Sequence, residues 1–155
     1  MNTSDTLRRF SVRLIFSLFF YICLVPSAYA EVIFSEIAWM GTETDANDEW
    51  MEIYNFSNTP TDLTGWTLSD GKSLNINLAG TMPPHGVFLL ERTDDTTVPS
   101  IAALVIYTGA LTNSGATLTM RDAGGAVVAE LVGGTDWENI GGDNESKYTA
   151  QSTRT

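Results

Sequence analysis

The sequence is poor in the residues on which much catalytic and metal chemistry depends. Its 155 residues include one cysteine and one histidine, and eight Lys and Arg stand against 19 Asp and Glu. A lone cysteine, Cys23, excludes a disulfide framework and a thiolate metal site within the chain. A lone histidine, His85, excludes the paired-His zinc motifs, and it sits in a Pro-Pro-His-Gly turn with no positioned nucleophile beside it, so it is expected to be a solvated turn residue. No serine occupies a Gly-x-Ser-x-Gly elbow and no glycine-rich loop follows a strand to cradle phosphate. Scarce Lys and Arg disfavour a sequence-independent grip on phosphate backbones, which makes nucleic acid an unexpected partner. Sustained 3.6-residue apolar periodicity is missing as well, so no core-facing helix is expected.

The marked hydrophobic run is also short. Leu14 to Val25 spans 12 residues, which at helical rise reach about 18 Å against the roughly 30 Å of a hydrocarbon core. Arg8, Arg9 and Arg13 precede it, and Pro26-Ser27-Ala28-Tyr29-Ala30 follows with small residues at Ala28 and Ala30. That is the layout of a cleavable secretory signal peptide over residues 1–30, with no membrane span left after cleavage. Lipoprotein processing fits poorly, because Cys23 follows the bulky Phe20-Tyr21-Ile22. Cleavage after Ala30 removes three Arg, Asp5 and the cysteine, leaving 18 acidic and five basic residues over 125, a net charge of −13. The expected location is therefore outside the cytoplasm: extracellular, at the cell surface or periplasmic.

What remains suits one globular domain. The full chain is 43% apolar and has four Trp, five Tyr and seven Phe, enough to build a core. Eight strands are predicted, over Val32 to Met40, Trp50 to Phe56, Trp66 to Ser69, Ser73 to Leu78, Val87 to Arg92, Ala103 to Tyr107, Ala116 to Asp122 and Ala126 to Val132. Breaks rich in Gly, Pro, Asn and Asp separate them. Alternation is clear in Leu74, Ile76 and Leu78 and again in Leu118 and Met120, as expected of strands with one face in a core. Asp122-Ala123-Gly124-Gly125 reads as a hairpin connection. Val32, Ile33 and Phe34 are all apolar, so the register of the first strand is open. Beyond Val132 the composition turns to glycine and polar residues, and a last strand is expected around Trp137 before a polar tail.

Three ordered segments then carry a resemblance. VIFSEIAWMG (Val32 to Gly41), DEWMEIYNFS (Asp48 to Ser57) and DLTGWTLSD (Asp62 to Asp70) are similar to the lamin-tail domain, an immunoglobulin-like β-sandwich found in nuclear lamins and in many exported bacterial proteins. GTMPPHGVFLL (Gly80 to Leu90) resembles that family's strand entered through a Pro/Gly turn, and NSGATLTMRDAGGAVVAELV (Asn113 to Val132) its closing hairpin. The resemblance implies an all-β immunoglobulin-like sandwich over residues 31–135, followed by a last strand and polar tail over 136–155 that lead toward the sequence of a longer parent protein. It also implies an interaction role without catalytic residues.

Specific residues can be argued from pattern. Period-2 alternation through β-strand residues 50–55 places Met51 and Ile53 on the core face and Trp50, Glu52 and Tyr54 on the other, the latter a candidate interaction face. Asn55 is placed to bond a turn backbone. Trp66 and Leu68 share a face; with Ile37, Met51, Ile53, Leu118 and Met120 they form the expected core. Glu43, Asp45, Asp48 and Glu49 crowd one loop, which reads either as a solvated acidic loop or as a weak calcium site of non-EF-hand spacing. Calcium is the one cofactor the sequence suggests.

These observations lead to an expected exported, non-enzymatic module that meets a protein or cell-envelope component. Its rival is a non-catalytic accessory domain of a longer secreted hydrolase or nuclease, and a carbohydrate-binding module stands behind both.

Overall fold

The computed structural model describes residues 31–141 and 150–151. The expected signal peptide with Ala28 and Ala30, and most of the polar tail, lie outside the described residues.

Two sheets enclose one core. The first runs in the order β11-β1-β2-β7-β8, built from β1 (Val32–Ala38), β2 (Trp50–Asn55), β7 (Val87–Arg92), β8 (Val105–Tyr107) and β11 (Ala150–Gln151). The second runs β10-β9-β4-β5, from β4 (Thr67–Ser69), β5 (Asn75–Asn77), β9 (Thr117–Arg121) and β10 (Val127–Val132). A two-stranded ribbon of β3 (Thr61–Asp62) and β6 (Thr81–Met82) completes an immunoglobulin-like β-sandwich. Pairing is antiparallel except between β7 and β8, which are parallel and joined by the crossover 93–104. Among the described residues no helix is long and apolar enough to cross a membrane.

The inward faces follow the period-2 pattern. Ile37, Met51, Ile53, Leu68, Leu118 and Met120 are sealed from solvent and Trp66 is nearly so. In β1 a bulge between Phe34 and Glu36 resolves the open register: Val32 and Phe34 point inward, Ile33 outward, and the extra residue returns Ile37 and Trp39 to the core. At the end of β2, Asn55 is fully buried and ties two turns together. Its side-chain amide donates to the carbonyls of Thr59 (2.9 Å) and Pro83 (3.0 Å), and its Oδ1 accepts from the Ser57 amide (3.0 Å) and hydroxyl (2.8 Å). Asn55→Ala leaves buried backbone groups unpaired and is expected to cost about 2 kcal/mol, read as a lower urea midpoint at unchanged slope. A loss below about 0.5 kcal/mol would show that water replaces these bonds without penalty.

The segment after β10 departs from expectation. Trp137 lies in a short 3₁₀ helix, Thr135–Ile140, and not in a strand. Asp136 and Trp137 both have positive φ, 54° and 63°, a conformation that no run of pleated strand contains. This twist drives the indole inward. Its ring stacks on Trp39 with centroids 6.2 Å apart, and its Nε1 donates to the Thr112 carbonyl at 2.8 Å. Gly133 makes the room, since a Cβ there would stand 2.5 Å from the indole Cε3.

Candidate functional site

The outward face of the first sheet gathers the candidate interaction residues. Trp50, Glu52 and Tyr54 alternate with buried Met51, Ile53 and Asn55, so all three project from the same side of β2, and each is half-buried. Cross-strand register extends the face in three rows: Ile33, Tyr54 and Val87; Glu36, Glu52 and Leu89; Ala38, Trp50 and Glu91. Ser35 donates its hydroxyl to Glu52 Oε1 and fixes that carboxylate.

One side of this face is walled. Leu89 and Glu91 belong to the outward side of β7, yet they are 4% and 0% exposed because the crossover 93–104 lies over them. The Val98 amide donates to Glu91 Oε1 at 2.6 Å, while Glu91 Oε2 is buried with no hydrogen-bond partner. Beyond the crossover, Ile33, Glu36, Trp50, Glu52 and Tyr54 are half-buried on the outward side of β1 and β2, and Ala38 beside Trp50 is buried.

At the far end of β2 the face turns aromatic. Phe56 is 61% exposed and packs edge-on against Tyr54, with centroids 6.2 Å apart. His85 is exposed in its turn, as expected, but is not idle: its Nδ1 lies 3.2 Å from the Tyr54 hydroxyl and its Nε2 3.0 Å from Asn58 Oδ1. With Asn58 accepting at Nε2–H, the imidazole receives the Tyr54 O–H at Nδ1. Val87, 48% exposed, closes the row. Sequence pattern alone passed over Phe56, although it shares the parity of Trp50, Glu52 and Tyr54, and over Val87, which only strand register places beside Tyr54.

The acidic loop is organised differently from a metal cradle. Asp45 Oδ1 accepts from the Asn47 backbone and side chain at 2.8 and 2.9 Å, and Asp48 Oδ2 accepts from the Thr42 hydroxyl at 2.5 Å. Glu43 is exposed on the outside. Glu49, counted with the others as a candidate calcium ligand, turns into the protein instead. Its Oε1 meets Arg92 Nη1 at 3.0 Å and its Oε2 accepts from the Leu111 amide at 2.8 Å. Burial pushes the Glu49 carboxyl above its ordinary value, opposed by the Leu111 amide and the Arg92 charge. Burial, with the Glu49 charge adding to it, likewise raises the Tyr107 hydroxyl. Among the described residues no three His, Cys, Asp or Glu side chains converge to hold a metal ion. Glu49 is thus turned away from the loop toward Arg92 and Leu111, while Asp45 and Asp48 accept hydrogen bonds within it. Millimolar calcium is expected to leave the melting temperature unchanged, and a calcium-dependent rise in a thermal scan would support the calcium reading.

An immunoglobulin-like sandwich with one half-walled, aromatic and acidic sheet face defines a class of domain before it defines a relative. A family model described as Lamin Tail Domain matches residues 25–135, more than half of the sequence, and the chain belongs to the lamin-tail domain family. No curated protein matches the chain.

Proposed function

We propose that this lamin-tail domain is exported and acts without catalysis, as a module that binds a protein or another cell-envelope component on the outward face of its first sheet. The row Trp50, Glu52 and Tyr54, widened by exposed Phe56 and Val87, carries the reading. Large apolar side chains gathered on one face mark interaction surfaces, and Trp and Tyr contribute disproportionately to contact energies. Export is supported by the basic, apolar and Ala-x-Ala layout of residues 1–30. The non-catalytic reading is supported by His85, whose ring nitrogens face Tyr54 and Asn58 and not a serine or threonine hydroxyl.

Two measurements test it. Fractionation of cells producing the full chain should recover a protein outside the cytoplasm whose N-terminus is Glu31; an uncleaved cytoplasmic chain contradicts export. Immobilised mature chain should retain an envelope component that a Tyr54→Ala/Phe56→Ala variant does not. Equal retention by both, or retention by neither, removes this face as the binding site.

A further inference from the structure

We propose that a cleft at one end of the second sheet binds one or two residues of a neutral saccharide, on the sheet opposite the Trp50 face and independently of it. Three turns converge there. The β4–β5 turn contributes Asp70 and Lys72, the turn entering β9 contributes Ser114 and Gly115, and the step from β10 into the 3₁₀ helix contributes Gly134 and Thr135. Together with Thr117 and Val132 they line a cleft of about 420 Å³, within the size range of small-molecule sites.

Backbone hydrogen bonds set its shape in advance of any ligand. On one side Asp70 Oδ1 accepts from the Lys72 and Leu74 amides at 2.8 and 2.9 Å. On the other, the Gly133 amide donates to the Ala116 carbonyl at 2.8 Å and the Asp136 amide to the Ser114 carbonyl at 3.1 Å. Gly115, with a φ of 86°, passes so close to Gly134 that a Cβ would stand 1.7 Å from the Gly134 carbonyl oxygen. The two backbones can meet in this way only with glycine at 115, and no side chain comes between them.

The polar groups on the lining residues select the ligand. Among the described residues the Lys72 ammonium, Asp70 Oδ2 and the hydroxyls of Thr117 and Thr135 have no hydrogen-bond or ion-pair partner within the protein. Lys72 can only donate, Asp70 only accept, and the two hydroxyls do both. A sugar ring offers the matching mixture, since each of its hydroxyls donates and accepts, and its C–H face can lie on Val132, whose side chain is exposed at the edge of the cleft. Charge narrows the class further. Asp70 and Lys72 balance each other across the lining, and the mature net charge of −13 repels an anionic sugar. A single lining carboxylate is too few to hold calcium. With no aromatic ring on the lining to stack on the sugar, the affinity should be millimolar.

The test uses the ¹⁵N-labelled mature chain titrated with maltose, cellobiose and chitobiose, with glucose as the single-residue probe and glucuronate as the charged one. At least one neutral disaccharide should give saturable shifts of amides in residues 71–73, 115–117 and 132–135 while those of β2 stay in place. Lys72→Ala and Asp70→Asn should each weaken binding by about fivefold, and Thr117→Val by about threefold. The Lys72 and Thr117 side chains are exposed and Asn keeps the Oδ1 acceptor of the turn, so the fold survives, as the unbound spectra will report. Arg121→Ala, on the same sheet outside the cleft, should leave binding unchanged. Tighter binding of a disaccharide than of glucose supports a glycan chain as the source, and equal binding supports a free sugar. Absence of saturable shifts with all three disaccharides and glucose overturns the proposal, as do shifts centred on β2, tighter binding of glucuronate than of glucose, or unchanged binding by Lys72→Ala and Asp70→Asn.

Discussion

Trp137→Ala is expected to lower the unfolding free energy by about 3 to 5 kcal/mol, the range for truncating a large aromatic in a packed interior. Trp137 is completely buried and stacks on Trp39, itself 1% exposed. Removing the indole leaves a cavity beside Trp39 and strips the Thr112 carbonyl of its donor. The surroundings have little freedom to close on the gap, because the helix backbone holds positive φ at two successive residues and Gly133 offers no side chain to fill it. Trp137→Phe, which keeps an aromatic ring and loses the N–H, should recover most of the stability and leave a deficit of about 1 to 2 kcal/mol. Guanidinium unfolding of the mature chain and both variants measures this. A Trp137→Ala loss below about 1 kcal/mol would mean that the Thr135–Ile140 turn is not part of the cooperative fold.

Glu49→Ala carries the second large effect, about 3 kcal/mol. Breaking a buried ion pair by removing one partner leaves the other charge stranded, at a typical cost of 3 to 5 kcal/mol. The Arg92 side chain is 21% exposed, so water relieves part of that cost and the lower end applies. The Leu111 amide loses its acceptor in addition. Glu49 also joins distant segments: its backbone carbonyl accepts from the Arg92 amide at 2.9 Å, and the loop after β8 hangs on its Oε2. Glu49→Gln keeps a carbonyl oxygen in place and should lose less.

The pH dependence of this group has a definite sign. Because burial raises the folded carboxyl above its ordinary value of 4.5, the folded protein binds this proton more readily than the unfolded chain does. Its contribution to stability is complete below about 4.5 and is lost as the pH rises through the raised folded value. Asp62 runs the other way. The hydroxyl and amide of Thr64 lower its carboxyl, so its contribution is present above the ordinary value and fades as pH falls through the lowered one. The stability of the native chain relative to Glu49→Gln should therefore increase on acidification from neutrality toward pH 4.5. A relative decrease over that interval would contradict the assigned direction.

How much of this could be read in advance depends on the range of the interaction. Val87 to Arg92 was delimited by Gly86 and by the polar residues after Arg92, and β7 has those bounds. Met51 and Ile53 against Trp50, Glu52 and Tyr54 needed only period-2 alternation, because β2 lies between two neighbours with one face in the core. Strands of two residues, such as Thr61–Asp62 and Thr81–Met82, contain no period to detect. Trp137 was missed as a helical core residue for a related reason. One aromatic in a glycine-flanked polar run has no periodicity, and the positive φ that turns it inward is set by its tertiary partners. Glu49 looked like its acidic neighbours because Arg92, 43 positions away in sequence, is brought to it only by the β2–β7 pairing. Glu91 would be placed on the open face by alternation. The crossover that buries it is an irregular segment whose path no pattern encodes.

The acidic face belongs to the same argument. Strand alternation supplies Trp50, Glu52 and Tyr54, register adds Ile33 and Val87, and the crossover supplies a wall. Alternation alone is written in the sequence; the register and the wall are set by long-range pairing, and the wall bounds the stripe on its β7 side.

The claim that this face is where the domain meets its partner is tested most directly by site-specific photo-crosslinking in cells. A benzophenone amino acid at position 56, beside Tyr54, should form a defined covalent adduct. The same group at position 127, also exposed but on β10 of the second sheet, should not. An adduct from position 127 with none from position 56 would place the contact on the opposite sheet and contradict the account.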